Sequence, residues 1–294
     1  MKHKTLFVRT SLLVLVASVL MTGINLYAAD KKAILLAAFG TSYSKARQSY
    51  DNIEKTIKKE NPGAPVYWAF TSNKVRAILK KRGVKTMSVP EALAKMRADG
   101  ITEAVVQSLH VVPGLEYNRK ILSKLNDFQK GKNPFAKLDL GKPMLFSAQS
   151  LDDFCEAMFA IIPKGHKKGD AILLMGHNNP LGGTDLFYIA AGLALNKQDP
   201  NIFVATVEGK PDFQDAVKEL EKNKVRKVYL MPMMVVAGDH ANNDLAGDEA
   251  DSWKSQLEKR GFTCVPVLKG LGEYNEFAEI YAKHLKAAMK DGGK

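Results

Sequence analysis

The chain has 294 residues, 46% of them apolar and 25% charged, an ordinary globular composition with room for two domains. Its two cysteines, Cys155 and Cys264, exclude an all-cysteine iron–sulfur cluster within one chain and a C-x-x-C redox pair, and two residues alone do not establish a disulfide. A formal charge of +12 suits an anionic partner, but no nucleic-acid motif accompanies it, so an acidic small molecule is as good a candidate as a polymer.

Residues 1–28 carry Lys2, Lys4 and Arg9, then an apolar stretch from Thr10 to Met21, then Leu26-Tyr-Ala28, the three regions of a secretory signal peptide. Cleavage near Ala28 is expected, leaving a periplasmic chain of formal charge +9 without a membrane attachment. The apolar run falls short of the roughly 20 residues a spanning helix needs, and no Cys follows it to accept a lipid.

The mature chain opens on Lys32-Ala-Ile-Leu-Leu-Ala-Ala-Phe39, an apolar run that reads as a strand covered on both faces, followed by the turn-like Gly40 to Ser44. Ala46, Tyr50, Ile53 and Ile57 then recur at helical spacing until Asn61-Pro-Gly63. Pro65 to Phe70 gives a second strand. Lys74 to Lys81 and Pro90 to Ala98 give short helices. Glu103 to Leu109 gives a third strand ending in His110, Glu116 to Phe128 a helix, and Pro143 to Ala148 a fourth strand. The polar segment Lys164 to Gly169 separates this N-terminal domain, residues 29–162, from a C-terminal domain, residues 163–294.

The second half repeats the first: Ala33-Ile-Leu-Leu36 returns as Ala171-Ile-Leu-Leu174, and Val111-Val-Pro-Gly114 as Val235-Val-Ala-Gly238. Duplication of a mainly parallel four-stranded α/β unit explains both matches. In that register Phe39 matches His177, Ser72 matches Glu208 and Glu116 matches His240. The last helix, residues 273–294, has an apolar stripe that is expected to pack across the domain junction.

Three apolar runs of the second half end in His177, Glu208 and His240, which lie 31 and 32 residues apart, about one strand–helix repeat. Successive strands would deliver all three to one rim, where open α/β sheets bind ligands. Two imidazoles and a carboxylate suit a divalent first-row metal, and three protein ligands leave positions open for a substrate. Glu208 can equally pair with Lys210. His110 reads either as a contact to the bound molecule or as a hydrogen-bonded rim residue, and His166 and His284 carry no assigned role. The absence of G-x-x-x-x-G-K-[ST], H-E-x-x-H and G-x-S-x-G argues against P-loop ATP hydrolysis, a zinc protease and an α/β-hydrolase.

Five segments, Leu35-Leu-Ala-Ala-Phe-Gly-Thr-Ser42, Gln107-Ser-Leu-His110, Met175-Gly-His177, Val207-Glu-Gly209 and Ala237-Gly-Asp-His-Ala-Asn-Asn-Asp244, together resemble the anaerobic sirohydrochlorin cobaltochelatases. The resemblance runs over essentially the whole mature chain. It implies a class II, ATP-independent chelatase with a ferrochelatase-like fold, two similar Rossmann-like domains around a central cleft. It also implies that His177, Glu208 and His240 form the metal site, that Co²⁺ is the substrate metal with Fe²⁺ as a second candidate, and that sirohydrochlorin or a related acidic tetrapyrrole is the partner in cobalamin or porphyrin biosynthesis. Lys45, Arg47, Lys74, Arg76 and Arg119 are candidates to meet its carboxylates. One departure is the export signal, since family members serving cobalamin synthesis are cytoplasmic. Two other roles stay open: a periplasmic metal- or haem-binding or transport protein without turnover, and haem binding with His110 as axial ligand. Assembly into a homo-oligomer is equally open.

Overall fold

The computed structural model describes residues 31–291 except 180 and 182, so the signal peptide and its cleavage point lie outside the described residues. Among the described residues, eight strands form two parallel four-stranded sheets. The first contains β1 (Lys32–Ala38), β2 (Val66–Phe70), β3 (Glu103–Ser108) and β4 (Lys137–Gly141), in the order β2-β1-β3-β4. The second contains β5 (Ala171–Gly176), β6 (Ile202–Thr206), β7 (Lys227–Met233) and β8 (Thr263–Pro266), in the order β6-β5-β7-β8. The two orders are the same permutation, so the expected pair of similar α/β units is borne out.

Helices α1 (Gln48–Glu60), α2 (Asn73–Lys81), α3 (Val89–Ala98), α4 (Ser123–Gln129) and α5 (Ala148–Ala160) belong to the first half of the chain. Helices α6 (Asp185–Gln198), α7 (Phe213–Lys222), α8 (Trp253–Lys259) and α9 (Asn275–Asp291) belong to the second. The central strands explain the layering. Every residue of β5 and all but the first of β1 are buried, as parallel strands are when helices cover both faces.

Register then brings the strand ends together. Ala37 pairs with Ser108 and Ala38 with Phe70, while Gly176 pairs with Thr206 and with Met233. In each sheet the strand order therefore reverses beside the central strand, at the crevice where ligands enter open α/β folds.

One local expectation needs correction. The fourth strand of the first half is Lys137–Gly141 rather than Pro143 to Ala148. Met144 and Leu145 are buried, at 0% and 2% exposure, so the segment reads as strand-like while being irregular chain tucked into the core. Ser147 then caps α5, its side chain accepting from the Ser150 amide. The true strand is half-buried, with a Lys137–Asp139 ion pair at 3.3 Å, and so lacks a continuous apolar run. The stretch from Glu116 is helical as expected, opening in π-helical form over Glu116–Leu122 before continuing as α4.

The last helix joins the halves. α9 packs on α1, β3, β4 and α5 of the first half and buries Phe277, Tyr281 and Leu285 completely. Its Tyr281 hydroxyl donates to the His110 carbonyl at 3.2 Å. The largest apolar cluster is continuous through both sheets, from Ile34 and Leu36 to Ile172 and Leu174. Cys155 and Cys264 are both free thiols, and burial pushes them up to about 11 and about 12.

Candidate metal and tetrapyrrole site

His177 follows β5 directly. Gly176 before it has no room for a side chain, because a Cβ there would lie 2.4 Å from Tyr188 Cε1. Tyr188, buried on α6, donates its hydroxyl to the His177 carbonyl at 2.8 Å and so fixes the backbone under the imidazole. His240 follows β7 and caps a π-helical turn, Ala241–Leu245.

The polar residues after His240 bond back onto its own loop. Asn242 Nδ2 donates to the Gly238 carbonyl at 2.6 Å and to that of Ala237 at 3.1 Å, and Asn243 Nδ2 donates to Asp239 Oδ1 at 2.9 Å. Asp244, one helical turn after His240, lies 2.8 Å from its Nδ1. A carboxylate on one imidazole nitrogen fixes the tautomer and leaves Nε2 as the coordinating nitrogen. Asp244 received no role from the sequence, although its i,i+4 spacing from His240 in a helical segment was the available signal.

The two imidazoles meet, with ring centroids 4.5 Å apart and planes at 41°. Phe39, at the matching position of the first half, lies 6.5 Å from His177. Desolvation in the cleft and the neighbouring His240 hold His177 below the ordinary histidine range, against the opposing pull of Glu208 and Asp244. His177 is thus kept neutral near pH 7, with a lone pair available for a metal.

Glu208 lies outside this pair. It is exposed, in the turn after β6, and is absent from the cavity wall that carries both histidines. Its charge still acts on His177, but among the described residues no group of three or more His, Cys, Asp or Glu side chains is arranged to hold a metal. Lys210 does not pair with it, bonding instead to Asp212 at 2.6 Å and Asp215 at 2.9 Å.

The cavity occupies about 550 Å³ between the halves and includes Phe39, Tyr43, His110, Glu116, His177 and His240 in its wall. His110 enters it from the end of β3. Its Nδ1 lies 3.1 Å from Ser108 Oγ, its Nε2 is buried without a hydrogen-bond partner, and burial lowers its pKa to about 4. Glu116 likewise has a buried Oε2 without a partner. Two unsatisfied polar atoms on one cavity wall are what a polar ligand would satisfy.

Of the five candidate cations, Lys74 alone belongs to the described wall. Arg76 is engaged by Glu91 at 3.2 Å and by Asn73 at 2.9 Å. Tyr43 also reaches across from the first half, donating its hydroxyl to Asp239 Oδ1 at 2.8 Å.

Comparison with known proteins identifies the family. Residues 32–290 match the family model described as cobalt chelatase (CbiK). Sirohydrochlorin cobaltochelatase CbiKC of Nitratidesulfovibrio vulgaris is 35% identical over 259 residues, covering 88% of this chain and 91% of that protein. Sirohydrochlorin cobaltochelatase of Salmonella typhimurium is 31% identical over 264 residues, covering 88% of this chain and 97% of that protein. The structure of SirB from Bacillus subtilis with Fe³⁺ superposes with a TM-score of 0.62 at 13% identity, over 90% of this chain and 98% of that one, which shows a shared fold. With a family match over nearly the whole described chain and two relatives above 30% identity, this chain belongs to the CbiK cobalt chelatase family.

Proposed function

We propose that the protein inserts Co²⁺ into sirohydrochlorin without ATP, the ion being held by His177 and His240 with Glu208 as third ligand. The observation that carries this reading is the imidazole pair, 4.5 Å between centroids, on the wall of a cavity large enough to admit part of a macrocycle. The two related sirohydrochlorin cobaltochelatases supply the substrate assignment.

Insertion exchanges two pyrrole N–H protons for one M²⁺, so the site needs donors that release the ion and groups that accept protons. Neutral imidazoles are borderline donors suited to Co²⁺, with Fe²⁺ as the second candidate. His240 presents Nε2 because Asp244 occupies Nδ1. Glu208, whose charge acts on His177 from the turn after β6, would complete the ligand set around the ion, or take a proton. Glu116 and His110, with their unpartnered buried atoms, face the ring from the other half as proton acceptor and ring contact. The peripheral carboxylates meet Lys74 and a basic surface.

Anaerobic incubation with sirohydrochlorin and Co²⁺ in the absence of ATP tests the reading through the absorbance change of the macrocycle. Turnover by the native chain is the expected result. Tight retention of Co²⁺ with no change in the ring spectrum would instead identify an exported binding protein.

A further inference from the structure

Asp239, the residue before His240, is held from both halves of the protein. Its Oδ1 accepts from Asn243 Nδ2 at 2.9 Å within its own loop and from the Tyr43 hydroxyl at 2.8 Å across the cleft. Tyr43 is itself fixed from below. Its backbone amide donates to Thr41 Oγ1 at 3.2 Å, and Arg82 donates to the preceding Ser42 carbonyl at 2.5 Å. Tyr43, Asp239 and His240 all belong to the wall of the same cavity.

We propose that Tyr43 is a positioning residue for the metal site: by holding Asp239 from the opposite half, it sets the backbone that aims His240. The inference rests on the reading that His177 and His240 bind the metal. A hydrogen bond to an ionised carboxylate is short and directional, so it constrains the loop more than a neutral contact would. The geometry of the metal pair then depends on the cleft being closed at Tyr43.

The test is a Co²⁺ titration followed by the visible d–d spectrum of the bound ion, on the full mature chain. Tyr43→Phe keeps the ring and removes the hydroxyl. It is expected to weaken Co²⁺ binding about 10-fold, the lower end for outer partners of a metal ligand, and to shift the d–d bands. Asp239→Ala removes the Asn243 bond as well and should lose at least as much, and adding Tyr43→Phe to it should cost nothing further, because the cross-cleft bond is already gone. Asp239→Asn keeps an oxygen acceptor for the hydroxyl but loses the charge, and should fall between the native protein and Asp239→Ala. Native affinity and bands in Tyr43→Phe, or additive losses in the double variant, would overturn the proposal. His240→Ala in the same titration separates the two claims. If it binds Co²⁺ normally, the metal reading fails; if it loses the ion while Tyr43→Phe keeps it, only the positioning role fails.

Discussion

At the scale of single residues, the proposed chemistry needs a metal-binding imidazole with a free lone pair, and burial in the cleft lowers the pKa of His177 accordingly. Under the proposed ligand assignment His177→Ala and His240→Ala each remove a direct donor, so each should lower insertion by at least the roughly 10–100-fold typical of outer partners, with little change in Tm. Glu208→Gln keeps an oxygen donor and removes the charge and the base. If Glu208 accepts a pyrrole proton, the variant should bind Co²⁺ in a titration yet insert it slowly, and near-native turnover would remove that role. His110 makes a separate prediction through pH. Its folded pKa of about 4 lies below the ordinary 6.5, so the unfolded chain binds a proton that the folded chain refuses. The stability this neutral state contributes is complete above pH 6.5 and is lost as pH falls from 6.5 through about 4. At about 1.4 kcal/mol per pH unit the loss is at most about 3 kcal/mol, since the residue is only half-buried. Denaturant unfolding at pH 7 and pH 4 should therefore show a smaller acid loss in His110→Gln than in the native protein. An equal loss would contradict the assignment.

At the scale of elements, the site is built at the carboxyl ends of the central strands. β5 and β7 are adjacent and in register, Gly176 beside Met233; His177 leaves its strand end directly, and the loop after β7, residues 234–239, brings His240 back against it. Gly176→Ala should force Tyr188 away from the His177 carbonyl and cost about 1–3 kcal/mol as an overpacked site, measurable by denaturant midpoint. This much was readable from the chain, because buried parallel strands are continuous apolar runs and each run here ends on a polar, chemically active residue. β4 escaped notice for the same reason inverted. It is a half-buried edge strand with Lys137 and Asp139, while the buried loop residues Met144 and Leu145 imitate a strand. The π-helical turns at Glu116 and Ala241 were equally hidden, since a π turn keeps helical composition and changes only which residues share a face. The site divides along the same line. The histidines were marked by local pattern, whereas the Tyr43–Asp239 bond joins residues 196 apart and has no local signature. The turn carrying Glu208 is set by tertiary contacts too: Asp185 accepts from the Lys210 amide at 3.0 Å, and a Cβ at Gly209 would lie 2.5 Å from Asn178 and Asp185.

At the scale of the whole molecule, the two halves share one apolar core, and α9 returns from the second half to close the first. Phe277 is fully buried there against Phe154, with ring centroids 5.6 Å apart. Phe277→Ala should cost about 3–5 kcal/mol in equilibrium unfolding, with both halves losing stability in one transition. Separate transitions would show that α9 does not couple them. The proposed export belongs to this scale as well: N-terminal sequencing of the periplasmic fraction should return Ala29, and Met1 from a soluble cytoplasmic fraction would exclude it. The central claim is that the imidazole pair in the cleft performs metal insertion. Its most direct test is single-turnover conversion of sirohydrochlorin by the mature chain with Co²⁺, anaerobically and without ATP, run beside the His177→Ala/His240→Ala double variant. The account predicts conversion by the native chain and none above the uncatalysed rate by a folded variant; equal conversion by both would contradict it.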